Sequence, residues 1–169
     1  LYDIPNLKYC LSIYKYQKNN LTQLLIHKLK YQSNKKIGKF FGAQIAKTLI
    51  DNNIKIDFLV PVPMYKTKEK TRGYNQTNII AFELAKIINT PVLDMLQKID
   101  NTESQTKKSI YQRWHNQEEK FRISKPIKLS GKHLLIIDDV ITTGATMHNC
   151  LKVFHNKNIT LSVVCVAYS

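Results

Sequence analysis

The sequence predicts an α/β fold: a parallel sheet flanked by helices, with an N-terminal helical part. Two observations carry that prediction. Apolar runs of strand length alternate along the chain with segments of helical period. The run at 134–137 is apolar without alternation, as expected of a strand covered on both faces of a parallel sheet.

Taken in order, Leu21, Leu24, Leu25 and Leu29 recur at the spacing of one helical face, and Asn20 is a suitable N-cap. Ile37, Phe41, Ile45 and Leu49 mark a second helix. Residues 56–60 read as a strand that runs into Pro61-Val62-Pro63. Ile80, Leu84, Ile87 and Ile88 give a third helix, closed by Asn89-Thr90-Pro91 before a short strand around Val92-Leu93. A strand at 134–137 follows, then a helix after Gly144 and a strand at 161–167. The expected organisation is an N-terminal helical part, or hood, over 1–55 and a core over 56–169. From about 99 to 128 the chain fits no element and is polar, with isolated apolar residues at Ile110, Trp114 and Phe121. Loops of this length inside a compact domain are usually functional or mobile. A cover that shields a reactive ligand from water and a surface excursion anchored by Trp114 both fit it.

The segment 135–146 is the most informative. An apolar run ends in Asp138-Asp139, Val140 and Ile141 carry the chain past the strand end, and the turn Thr142-Thr143-Gly144-Ala145-Thr146 follows. Met147, Cys150, Leu151 and Phe154 then recur on one helical face. Gly144 permits backbone conformations that a side chain would obstruct. Free N–H groups at the helix start and three threonine hydroxyls suit an anion. A carboxylate pair thus sits beside an anion cradle at the carboxyl end of a strand, where open α/β sheets bind ligands. A second constellation spans 61–76. It follows a strand, is dense in Lys, and sets Arg72 directly before Gly73. Arg occurs only at positions 72, 113 and 122, so an Arg in this loop suggests the planar fork that phosphate pairing uses. A solvated basic loop is the commoner fate of such a run.

At 169 residues the chain is one domain of ordinary size. Its formal net charge is +14, nearly all from Lys. Such a surface attracts phosphates and nucleic acid, while the Lys, Asn and Ile bias of an AT-rich genome gives the same composition. Cys10, Cys150 and Cys165 are far apart and form no zinc or disulfide pattern. No apolar run approaches membrane-spanning length, so no membrane insertion is expected and a reducing cytoplasm is the default. The chain opens at Leu1 rather than Met, which leaves room for a segment upstream.

The segment around Asp138-Asp139 resembles the phosphoribosyl pyrophosphate (PRPP) signature of type I phosphoribosyltransferases. Thr142 stands where the purine-salvage branch has an acidic residue, so the loop is more like the orotate type. Together with Pro61-Val62-Pro63, Arg72-Gly73-Tyr74-Asn75-Gln76, Thr102 with Gln105, Arg113 with Asn116, and 25–31 with Ile37-Gly38, it resembles the ComF competence-protein family. The resemblance covers nearly the whole chain. It implies a type I phosphoribosyltransferase-like sheet and a part in DNA uptake during natural transformation. It implies that Asp138 and Asp139 take the ribose hydroxyls as catalytic residues, and that Thr142, Thr143, Gly144, Ala145 and Thr146 cradle the 5-phosphate. Pro63, Met64, Lys66 and Arg72 would belong to the pyrophosphate loop, and Gln105 and Arg113 to a covering loop. Mg²⁺ would be held through substrate oxygens rather than by the protein, in keeping with its preference for phosphates and retained waters. Any transfer would displace pyrophosphate at the anomeric carbon, with no residue marked as reader of the acceptor. The partners implied are PRPP, single-stranded DNA and other competence proteins. Relatives carry a four-cysteine zinc module ahead of this region; here it is lost, removed, or upstream of Leu1.

Overall fold

The computed structural model describes residues 4–32, 34–99, 120–124, 127–155 and 157–169. The order is β1 (Leu7–Lys15), α1 (Leu21–Tyr31), α2 (Lys35–Asp51), β2 (Phe58–Pro61), α3 (Lys66–Arg72), α4 (Gln76–Ile88) and β3 (Leu96–Ile99). It continues with β4 (Lys120–Ile123), β5 (His133–Ile141), α5 (Ala145–Lys152) and β6 (Thr160–Tyr168). The main sheet has the strand order β1-β6-β5-β2, and every pairing is parallel. β3 and β4 form a separate antiparallel pair.

The core lies on both faces of the sheet, because alternate residues of the central strands point to opposite sides. On one face Leu134, Ile136, Leu161 and Val163 pack against Met147, Cys150 and Leu151 of α5, with Phe154 just beyond its end. On the other, Leu135, Ile137, Val164 and Val166 meet α1, α2 and α4. Each large side chain so buried contributes roughly 1.5–3 kcal/mol. Ile37, Phe41, Ile45 and Leu49 of α2 are all buried, as their spacing predicts. α2 and α4 approach closely because Gly42 has no side chain: a Cβ there would stand 2.9 Å from the Leu84 nitrogen.

Several elements differ from the sequence reading. Leu7–Lys15 falls in the expected helical part, yet it is a strand with alternating half-buried and exposed residues. It forms the sheet edge beside β6. In α1 the buried residues are Ile26 and Leu29, whereas Leu21 and Leu24 are 68% and 50% exposed. Asn20 does cap this helix, accepting from the Gln23 N–H at 2.8 Å. In α4 Ile80 and Leu84 are buried but Ile87 is exposed. The short strand around Val92 is a single bridge to Leu59.

Residues 66–72, read as loop, form a helix with no buried residue. Gly73, at φ 82°, ends it in the left-handed conformation, and basic residues occupy its last turn. The flanks of the expected covering loop are ordered too. Lys120–Ile123 pairs with Leu96–Ile99, and Phe121 is buried in the core. Residues 100–119, which include Thr102, Gln105, Ile110, Arg113, Trp114 and Asn116, lie outside the described residues.

Candidate functional site

The site arises from a step in the sheet. β2 pairs with β5 only as far as Pro61 opposite Ile137, and the Val62 N–H closes the ladder on the Ile137 carbonyl at 2.9 Å. β5 does not stop at 137 as its sequence suggests. It continues through Ile141 along β6, with Asp138 opposite Cys165 and Val140 opposite Ala167. The carboxylates are therefore strand residues flanked on one side only, and the space beyond the end of β2 is a cavity of about 340 Å³.

Asp138 and Asp139 are 8% and 5% exposed. Burial, reinforced by the adjacent Asp139 charge, holds the Asp138 carboxyl well above the ordinary carboxylate range. The Asp139 N–H donates to Asp138 Oδ1 at 2.8 Å. Asp139 is held at both oxygens. The Val140 N–H donates to Oδ1 at 2.7 Å, and Gln76 Nε2 donates to Oδ2 at 2.9 Å. Lys30 Nζ lies 2.9 Å from that same Oδ2.

The wall facing the carboxylates is cationic. Lys30, Lys68, Arg72 and Lys98 all line the cavity. Arg72 donates from Nη1 to Gln76 Oε1 at 2.6 Å and lies over the Tyr31 ring, 5.1 Å from its centroid. Gln76 thus relays between Arg72 and Asp139. Lys98 lies over the rings of Tyr65 and Phe121, at 4.4 and 5.4 Å. The start of α4 is fastened to the end of β2, because Asn75 Nδ2 and Thr77 Oγ1 both donate to the Val62 carbonyl, at 3.0 and 2.7 Å. The last turn of α1 is stitched in by successive residues. The Leu29 carbonyl accepts from the Tyr74 hydroxyl at 2.6 Å, Lys30 pairs with Asp139, and Tyr31 carries Arg72.

Of the residues expected to form a phosphate cradle, Thr146 lines the cavity. Thr142, Thr143 and Ala145 are exposed around Gly144, which sits at φ 78° as the N-cap of α5. Pro63, Met64 and Arg72 also line the cavity. Lys66, exposed in the first turn of α3, is not among the lining residues, and Lys68 stands there instead. Sequence reasoning assigned no role to Lys30, Tyr31, Gln76 or Lys98. Lys30, Tyr31 and Gln76 lie inside quoted motifs, but only the fold shows that they converge. The geometry joins hydroxyl-accepting carboxylates to a wall of cations, which suits a ligand with vicinal hydroxyls and several phosphate charges.

Residues 31–168 match the phosphoribosyl transferase domain family, and the chain belongs to it. The curated relatives it resembles include competence and DNA utilization proteins. Competence protein ComFC of Bacillus subtilis strain 168 is 28% identical over 90% of this chain and 60% of its own length. The DNA utilization protein YhgH of Salmonella typhi is 27% identical over 85% of this chain and 65% of its own. The chain thus spans about three fifths of the length of these relatives. An adenine phosphoribosyltransferase from Leishmania tarentolae shares the fold, with TM-score 0.53 and 9% identity over 95% of this chain and 91% of that one.

Proposed function

We propose that this chain binds PRPP together with Mg²⁺ and serves in DNA uptake during natural transformation, as a phosphoribosyltransferase whose acceptor is not yet assigned. The observation that carries the reading is the cavity in which buried Asp138 and Asp139 face Arg72, Lys68 and Lys98 across a step in the sheet. Asp138 and Asp139 accept the ribose hydroxyls. The turn at 142–146 receives the 5-phosphate on the backbone N–H groups at the start of α5 and the threonine hydroxyls. Pro63, Met64 and the cations of α3 face the pyrophosphate. Lys66 is the weakest member of that group, because Lys68 lies nearer the cavity. Gln105 and Arg113 are proposed to close over the ligand.

The donor chemistry fits Mg²⁺ carried on ligand oxygens. The lining residues contribute two carboxylates, and no group of three or more His, Cys, Asp or Glu able to hold a metal occurs among the described residues. Mg²⁺ so bound would supply charge neutralisation on the departing pyrophosphate. The protein's own part is to orient the ribose through Asp138 and Asp139 and to bind the leaving group through Arg72 and its lysines. The competence and DNA utilization names of the relatives support the biological role, and a cytoplasmic site of action goes with it. No helix among the described residues is long and apolar enough to cross a membrane.

Calorimetric titration with PRPP and Mg²⁺ tests the reading, followed by a nucleobase panel monitored for pyrophosphate release. Undiminished PRPP binding by an Asp138→Asn/Asp139→Asn double variant would sink the site assignment. A second reading, a non-catalytic single-stranded-DNA-binding or adaptor protein, is favoured by the net charge of +14. It requires binding that weakens steeply with salt, because released counterions drive it.

A further inference from the structure

We propose that Lys30 is a positioning residue that changes partner on ligand binding. It leaves Asp139 for the pyrophosphate group and thereby opens Oδ2 of Asp139 to a ribose hydroxyl. This inference rests on the PRPP reading above. The argument begins with the capacity of one oxygen. A carboxylate oxygen offers about two acceptor sites. Asp139 Oδ2 already has two donors, Gln76 Nε2 and Lys30 Nζ, each at 2.9 Å, while Oδ1 takes the Val140 N–H. A hydroxyl can approach Oδ2 fully only if one donor withdraws.

The surroundings select which one. Gln76 is buried, and its other end is fixed by Arg72, itself laid over Tyr31. Lys30 carries its charge on a flexible stem, its side chain is 27% exposed, and it lines the cavity beside Lys68 and Arg72. An entering diphosphate offers it an alternative anion in place of Asp139. The exchange makes the two ends of the ligand cooperative, since binding at the anionic end frees the acceptor at the hydroxyl end. By linkage the effect is reciprocal.

The test is calorimetric titration of ribose 5-phosphate with and without saturating inorganic pyrophosphate, both with Mg²⁺, on the wild type and on Lys30→Met. Pyrophosphate is expected to tighten ribose 5-phosphate binding about fivefold or more in the wild type, despite repulsion between two anions. In Lys30→Met that coupling disappears. Lys30→Gln, which keeps a polar donor and removes the charge, gives the same loss should the methionine variant fold poorly. If the wild type binds PRPP but shows no coupling between the half-ligands, or if the coupling survives in the variants, the partner exchange is overturned. A wild type that fails to bind PRPP at all overturns the functional reading beneath it.

Discussion

The Tyr74 hydroxyl donates to the Leu29 carbonyl at 2.6 Å, joining the loop before α4 to the last turn of α1 across 45 residues of sequence. That carbonyl belongs to a helix end, where acceptors lack intrahelical partners. The bond therefore fixes the turn that presents Lys30 and Tyr31. Tyr74→Phe is expected to cost about 1 kcal/mol. Faster amide exchange near the end of α1, with the sheet strands unaffected, is the check.

Gln76 joins Arg72 to Asp139, and replacing it by glutamate keeps the acceptor for Arg72 while setting a third carboxylate beside the acidic pair. Gln76→Glu is expected to lose about 2 kcal/mol at pH 8. The loss should shrink at pH 5, where the added carboxyl can take up a proton. Thermal unfolding at the two pH values decides it, and equal losses would refute the electrostatic cause.

Asp138 makes a separate prediction about pH. Burial and the neighbouring charge raise its pKa in the folded state, so the fold favours the protonated form. Its contribution to stability is fully present below the unfolded-state pKa and is lost as pH rises through the folded value. Asparagine keeps the acceptor for the Asp139 N–H and cannot ionise. Asp138→Asn should therefore be more stable than the wild type by about 1–2 kcal/mol at pH 8, with the difference vanishing toward pH 3. Urea denaturation at both extremes measures this; a wild-type advantage at pH 8 contradicts it. Ligand binding should fall in the same variant, a trade of function for stability.

Gly42→Ala tests the crossing of α2 over α4. The added carbon would meet the Leu84 nitrogen at 2.9 Å and Glu83 Cβ at 3.1 Å, and a backbone atom cannot swing aside. The expected loss is about 1–3 kcal/mol, larger than the ~0.5–1 kcal/mol that alanine gains within a helix. A neutral result in denaturant titration would mean that the helices separate freely.

Elements with one-sided periodicity were legible in the sequence. Ile37, Phe41, Ile45 and Leu49 all reach the core, and the apolar run 134–137 is a central strand. The alternation of Leu7, Tyr9, Leu11 and Ile13 with Lys8, Cys10 and Ser12 is the pattern of an edge strand with one covered face, which the reading of 1–55 as helical passed over. In α1 the apolar residues cover more than one face, so spacing alone could not separate Ile26 and Leu29 from exposed Leu21 and Leu24. The acidic pair and Arg72 stood out by residue type. Lys30 and Gln76 did not, because one lysine among many and one amide carry no pattern. Their significance comes from 63 residues of chain folding back between Gln76 and Asp139.

β6 lies between β1 and β5 in the sheet, yet it follows both in sequence. A chain emerging from the ribosome can form the β2–β5 ladder and the α2–α4 packing early. β1 must wait for its neighbour until residues 160–168 arrive. Until then the apolar edges that flank the gap stay open, a state prone to association with other chains. The strand that Asp138 and Asp139 occupy acquires its second neighbour only at that moment. Assembly of the carboxylate end of the site thus waits for β6, and a nascent chain arrested before residue 160 carries the residues of the site without its geometry.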